Sequence, residues 1–224
     1  MKHGAESMRR PVEIEFACTL NNDRTGEFYL LQIRPIVDSK QMLEEDLRTI
    51  PDDKCLLRSH NSLGHGKSND VVDVVYVKTD ENFTAANNPE IACEIEHINR
   101  KFIAEGKNYV LIGPGRWGSS DSWLGVPVKW PHISAAKVIV EVTLKNYSVD
   151  PSQGTHFFQN LTSFGVGYFT IDENKGMGFF RKETLDRMPA VEETAYVRHV
   201  RFEKPLYVLM DGLKQEGVIM QEEP

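Results

Sequence analysis

Glu15, Gln32 and Arg34 are the residues whose types and spacing first point to chemistry. Glu15 lies in "PVEIEFACT" (11–19), where Val12, Ile14, Phe16 and Cys18 alternate with Glu13 and Glu15. Gln32 and Arg34 stand two apart in "FYLLQIR" (28–34), which Pro35 closes. Alternation of this kind predicts strands whose every second side chain shares a face. The turn-rich "LNNDRTGE" between them predicts a β-hairpin. A carboxylate, an amide and a guanidinium converging on one sheet face suit a metal–phosphate complex. The carboxylate offers hard oxygen to Mg²⁺, and the guanidinium fork matches phosphate oxygens. The same three residues also fit a solvated face crossed by an ion pair.

The wording of the stretch narrows the choice. "VEIEFACTLNNDRTGEFYLLQIRPI" resembles the end of the ATP-grasp region of the phosphoenolpyruvate synthase and pyruvate phosphate dikinase family. That family closes the region with an (I/M)-E-(F/W) strand, a turn and a strand ending Q-x-R-P, here Ile14-Glu15-Phe16 and Gln32-Ile33-Arg34-Pro35. The resemblance implies that Glu15 is a Mg²⁺ ligand, that Gln32 helps position metal or phosphate, and that Arg34 contacts ATP phosphates. It covers roughly residues 11–37. Only ten residues precede Pro11, and the family's phosphohistidine pattern T-x-H-A-A does not occur. The expectation is therefore the C-terminal part of an ATP-dependent phosphotransferase that needs an ATP-grasp lobe and is inactive alone. ATP and Mg²⁺ are the implied cofactors. The alternative is a non-catalytic module that binds a small anion or a partner protein.

Three further strings carry candidate residues. "LGHGKS" (63–68) contains G-K-S, but a P-loop needs a glycine where Asn61 stands, and a β-branched strand follows instead of a helix. His60, His65 and Asp70 surround that string without helical or strand spacing for a metal. "GPGRWG" (113–118) has the letters of a dinucleotide turn after an apolar run. Pro114 stiffens it, and "SSDSWLGVPVKWP" is not a helix, so no helix dipole awaits a pyrophosphate. Two readings stay open for it. In one, Gly113, Gly115, Arg116, Ser119, Ser120 and Asp121 meet an anionic ligand at a strand end. In the other, a compact loop is plugged by the neighbouring Trp117, Trp123 and Trp130. His156 follows Gly154 and Thr155 at a predicted helix start. The family's phosphorylated histidine also follows a threonine there, although Phe157-Phe158 replace its Ala-Ala, so His156 joins the candidate ligand-binding set as a base or phosphoacceptor; the alternative is a histidine that caps or bonds within the core.

These residues need elements to hold them. "NPEIACEIEHINRKFIAEG" (88–106) predicts a helix with Asn88 as N-cap, Pro89 in the first turn and Gly106 at the stop. Ile91, Ile95, Ile98 and Phe102 form its apolar stripe. Strands predicted at 71–78 and 108–112 flank it, which makes a βαβ unit with parallel strands. Further strands are expected at 54–58, 137–144, 165–171, 194–202 and 205–210, and short helices at 38–48, 155–163 and 182–188. Residues 59–70 read as a polar loop, and the C-terminal tail as short and acidic. The expected fold class is α+β (mixed α/β): an ATP-grasp hairpin over 1–38, then a mixed-sheet domain over 39–224.

Bulk properties bound the partners. The 224 residues carry a formal net charge of −7 and no dense basic stripe, which argues against nucleic acid. No run of apolar residues is long enough for a membrane helix. Three cysteines without C-x-x-C spacing fit a reducing, cytoplasmic setting. The expected partners are a nucleotide, a small-molecule anion and a second copy paired through an open hairpin edge.

Overall fold

The computed structural model describes residues 3, 6, 12–21, 25–35, 43, 46–80, 83–150, 161 and 165–223. The chain divides into two compact units, Met1–Lys40 and Gln41–Pro224.

The first unit is an antiparallel hairpin of β1 (Val12–Leu20) and β2 (Gly26–Pro35). A bulge between Glu15 and Phe16 shifts the register, so Glu15 faces Gln32 while Phe16 faces Leu30. Leu31 is the extra residue; without the bulge Glu15 would stand opposite Leu31, and Gln32 would lie on the other face. Phe16 and Phe28 stack at 4.9 Å between ring centroids. Both are more than half exposed, as are Leu20, Leu30 and Leu31. A two-stranded hairpin has no second layer to bury such side chains.

The second unit is α+β. In chain order its strands are β3 (Cys55–Ser59), β4 (Ser62–Leu63), β5 (His65–Val77), β6 (Tyr109–Pro114), β7 (Arg116–Trp117), β8 (Gly125–Val126), β9 (Ala136–Val142), β10 (Gly167–Ile171), β11 (Gly178–Phe180), β12 (Ala190–Glu193), β13 (Val197–Asp211) and β14 (Glu216–Met220). The long helix α1 (Asn88–Glu105) joins β5 to β6. The main sheet runs β11-β3-β14-β13-β5-β6-β9-β10-β4, with β12 added to β13. Strands β5, β6, β9 and β10 are mutually parallel, and the remaining pairs of this sheet are antiparallel.

The sheet curls until its ends meet. Thr170 N–H donates to Asn61 O, and Ser62 N–H donates to Gln215 O. The Ser59 hydroxyl donates to Thr170 O at 2.6 Å. Accumulated strand twist drives this curl. Alternate residues then enter different cores. Val75, Val77, Leu111, Ile139 and Tyr168 pack under α1 with Ile91, Ile95, Ile98 and Phe102. Val74, Tyr76, Val110, Ile112, Val140 and Phe169 form a second core from the opposite side chains of the same strands. Each fully buried Ile or Phe contributes about 1.5–3 kcal/mol.

The βαβ unit and the helix stripe are as the sequence predicts, and Gly106 ends α1 in the left-handed region at φ 64°. Asn88 is not the cap: it is the first helical residue, and its side-chain amide donates to Ser122 O at 2.7 Å. The polar segment expected to be a loop belongs largely to β5, because His65–Ser68 pair with Val208–Asp211 of β13. The two strands expected near 194–210 are one long β13, whose register slips between Arg201 and Leu206. The tail expected to be merely acidic holds β14, buried throughout and hydrogen-bonded between β13 and β3. Of the helix expected at 38–48, the described part is the 3₁₀ turn Leu47–Thr49, capped by the Asp46 side chain. The helix expected at 155–163 lies outside the described residues apart from Leu161, and so does His156.

Candidate functional site

Three places bear on function: the hairpin, the loop after β6, and a cluster at the opposite end of β6. On the hairpin, Glu15 and Gln32 are direct cross-strand partners, and Arg34 pairs with Glu13 two positions along. Direct partners in an antiparallel pair lie on the same face. The register therefore brings Glu15 and Gln32 together. Glu15 is half-buried and Gln32 exposed.

The glycine-rich loop is built around Trp117. Its ring lies against Gly113, where an added Cβ would stand 2.4 Å from the indole. Gly115 turns the chain at φ 65°, and a Cβ there would meet the Tyr147 ring at 2.5 Å. The indole N–H donates to Val140 O at 3.0 Å. Beneath it lies Glu141, a buried carboxylate that accepts from Trp117 N–H at 3.0 Å and from the Tyr168 hydroxyl at 2.5 Å. Arg116 donates from Nε to Asp150 O at 2.5 Å. The Ser119 hydroxyl donates to Asp121 O, and the Asp121 carboxylate accepts from Trp123 N–H. Ser120 is exposed. Gly113, Gly115, Arg116, Ser119 and Asp121 thus close the loop on itself: the glycines admit two aromatic rings and the polar groups bond within the loop or to its neighbours. Of the two readings the letters allow, the contacts favour the plugged loop, but Trp117 is the tryptophan that plugs it, with Tyr147 beside it; Trp123 is 64% exposed and Trp130 only partly buried.

The third place carried no motif. Asp73 sits in the middle of "VVDVV" on β5, buried, directly opposite Arg201 on β13. Arg201 donates from Nε to Asp73 Oδ1 at 2.7 Å and from Nη2 to Oδ2 at 3.3 Å. His199 Nε2 lies 2.6 Å from the same Oδ1. Burial works to raise the Asp73 carboxyl, but the hydrogen bonds from His199 and Arg201 outweigh it and hold it below the ordinary aspartate value. The hydrogen bond to Asp73 in turn raises the Arg201 guanidinium. An ionised carboxylate only accepts, so His199 Nε2 carries the proton.

His199 and Arg201 line a cavity of about 280 Å³ with Lys101, Phe102, Lys107 and Glu192. Lys101 bonds both carboxylate oxygens of Glu192 at 2.7 Å. The Phe102 ring lies 5.2 Å from the imidazole. Sequence reasoning missed this cluster because Asp73 and His199 are 126 residues apart. The one local signal was an aspartate interrupting a β-branched run, which needs partners when buried.

Among the described residues no group of three or more His, Cys, Asp and Glu is arranged to hold a metal ion. No protein family, curated protein or solved structure matches the chain.

Proposed function

We propose that the hairpin supplies one wall of an ATP·Mg²⁺ site to an ATP-grasp lobe, within a phosphotransferase of the phosphoenolpyruvate synthase and pyruvate phosphate dikinase kind. The observation that carries this reading is the bulged register that sets Glu15 directly opposite Gln32, with Arg34 two positions farther along β2. In this arrangement Glu15 binds Mg²⁺ that bridges ATP phosphates. Gln32 orients the same oxygens, and Arg34 offsets charge that develops on the transferred group. The exposed Phe16, Phe28, Leu20 and Leu30 support the reading, since a lobe packed on the hairpin would bury them. The reading assigns the chain no turnover of its own.

The experiment joins this chain to its ATP-grasp lobe and compares Arg34→Ala with the unchanged protein. Loss of a phosphate-binding guanidinium predicts a fall in kcat of about 10²–10³ with the fold intact. Unchanged ATP binding and turnover would reject the reading.

A further inference from the structure

We propose that His199 and Arg201, set on Asp73 and flanked by Lys101 and Lys107, form a binding site for free hydrogen phosphate. The site is independent of the hairpin, and unused hydrogen-bonding capacity marks it. His199 is buried to more than nine-tenths, with 7% of its side chain exposed. Its Nε2 is committed to Asp73, and its Nδ1 makes no hydrogen bond among the described residues. The ring packs on Phe102 and also lines the cavity. Arg201 spends Nε and Nη2 on Asp73, and its Nη1 likewise has no partner among the described residues. Lys101 and Lys107 each bond one carboxylate, Glu192 and Glu105, and an ammonium with three hydrogens retains donors.

The charges explain why the ligand must be chosen by hydrogen bonding. Lys101, Lys107 and Arg201 face or flank the cavity with Glu105, Glu192 and the Asp73 beneath, so positive and negative groups balance. Net charge alone gives no strong pull on an anion. The geometry instead offers cationic donors beside His199 Nδ1, and in the proposed binding mode the ring carries its one proton on Nε2, so that Nδ1 accepts. An oxyanion that still carries a hydroxyl proton satisfies both: its oxygens take Arg201 and the lysines, and its O–H donates to Nδ1. At neutral pH hydrogen phosphate has that proton. Sulfate does not, and its oxygen would meet the lone pair of Nδ1. A simple phosphate monoester, whose second ionisation lies near pH 6, is also mostly without it. A purely structural role accounts for the cross-strand Asp73–Arg201 pair but leaves His199 Nδ1 without a partner among the described residues.

The test is calorimetric titration of the 224-residue chain with phosphate, sulfate and a small phosphate monoester at neutral pH and matched ionic strength. The site predicts that phosphate binds about tenfold more tightly than either other anion, the worth of one hydrogen bond gained rather than lost. His199→Phe, which keeps the ring volume, should reduce phosphate to the level of sulfate. Lys101→Ala should weaken all three together. Equal affinity for phosphate and sulfate, no phosphate binding, or a preference that survives His199→Phe would overturn the proposal. If His199→Phe does not fold, the phosphate-to-sulfate ratio of the unchanged chain decides alone.

Discussion

Strand β6 has a polar cluster at each end, and the two are opposites. At its carboxyl end stands the loop of Gly113, Gly115 and Arg116, whose letters suggest nucleotide binding and whose contacts are spent internally. Beside its first residue, Tyr109, which pairs with Asp73, stands a cluster with no motif and with hydrogen-bonding capacity left over. A glycine pattern states where the backbone needs room; it does not state what fills the room. After β6 the occupants are the Trp117 and Tyr147 rings. At the other end, capacity remains because a buried aspartate recruits a histidine that uses only one of its two nitrogens.

The comparison can be broken most forcefully at Asp73. Asp73→Ala leaves the buried His199 and the 40% exposed Arg201 without their shared carboxylate, and loss of these hydrogen bonds costs about 1–3 kcal/mol. Chemical denaturation should register this, and a cost near zero would mean the cluster holds nothing. At the opposite end Gly113→Ala forces the Trp117 ring away and costs about 1–3 kcal/mol by overpacking. Phosphate affinity should not follow that loss. Acid sharpens the same contrast. The Asp73 carboxyl is depressed in the fold, so the stability it contributes is present above the unfolded aspartate value near pH 4 and is lost as pH falls through the lower folded value. Unfolding measured against pH should therefore show an acid loss in the unchanged chain that is smaller in Asp73→Asn. The weakest effect is expected at Arg116. Arg116→Ala removes one bond to the Asp150 carbonyl, worth about 0.5–1.5 kcal/mol, and leaves anion binding unchanged. A larger loss of anion affinity there would restore the ligand reading of the loop.

Particular residues show what was legible. Ile91, Ile95, Ile98 and Phe102 recur at helical spacing, and all four are buried on the expected face of α1. That Gln32 and Arg34 share a face is legible because a strand repeats every two residues, but the meeting of Glu15 with Gln32 was not, since the bulge sets it. The first residues of β5 were not, because His65, Gly66, Lys67 and Ser68 have weak strand preference and are strand only through pairing with β13. Strand β14 was hidden for a related reason: Val218, Ile219 and Met220 are too few to stand out between Glu216 and Glu222, yet pairing on both sides buries them. The Asp73–His199–Arg201 cluster joins strands from distant parts of the chain, so no window of sequence contains it. Glu141 was equally silent, since a carboxylate on a strand normally faces water and this one lies under Trp117.

The most direct measurement of the contrast is nuclear magnetic resonance of the isotope-labelled chain titrated with phosphate. A phosphate site at His199 predicts shifts at the His199 ring nitrogens and at the Arg201, Lys101 and Lys107 signals, with the amides of Gly113–Asp121 unmoved. Shifts confined to the Gly113–Asp121 amides, with His199 unmoved, would contradict it.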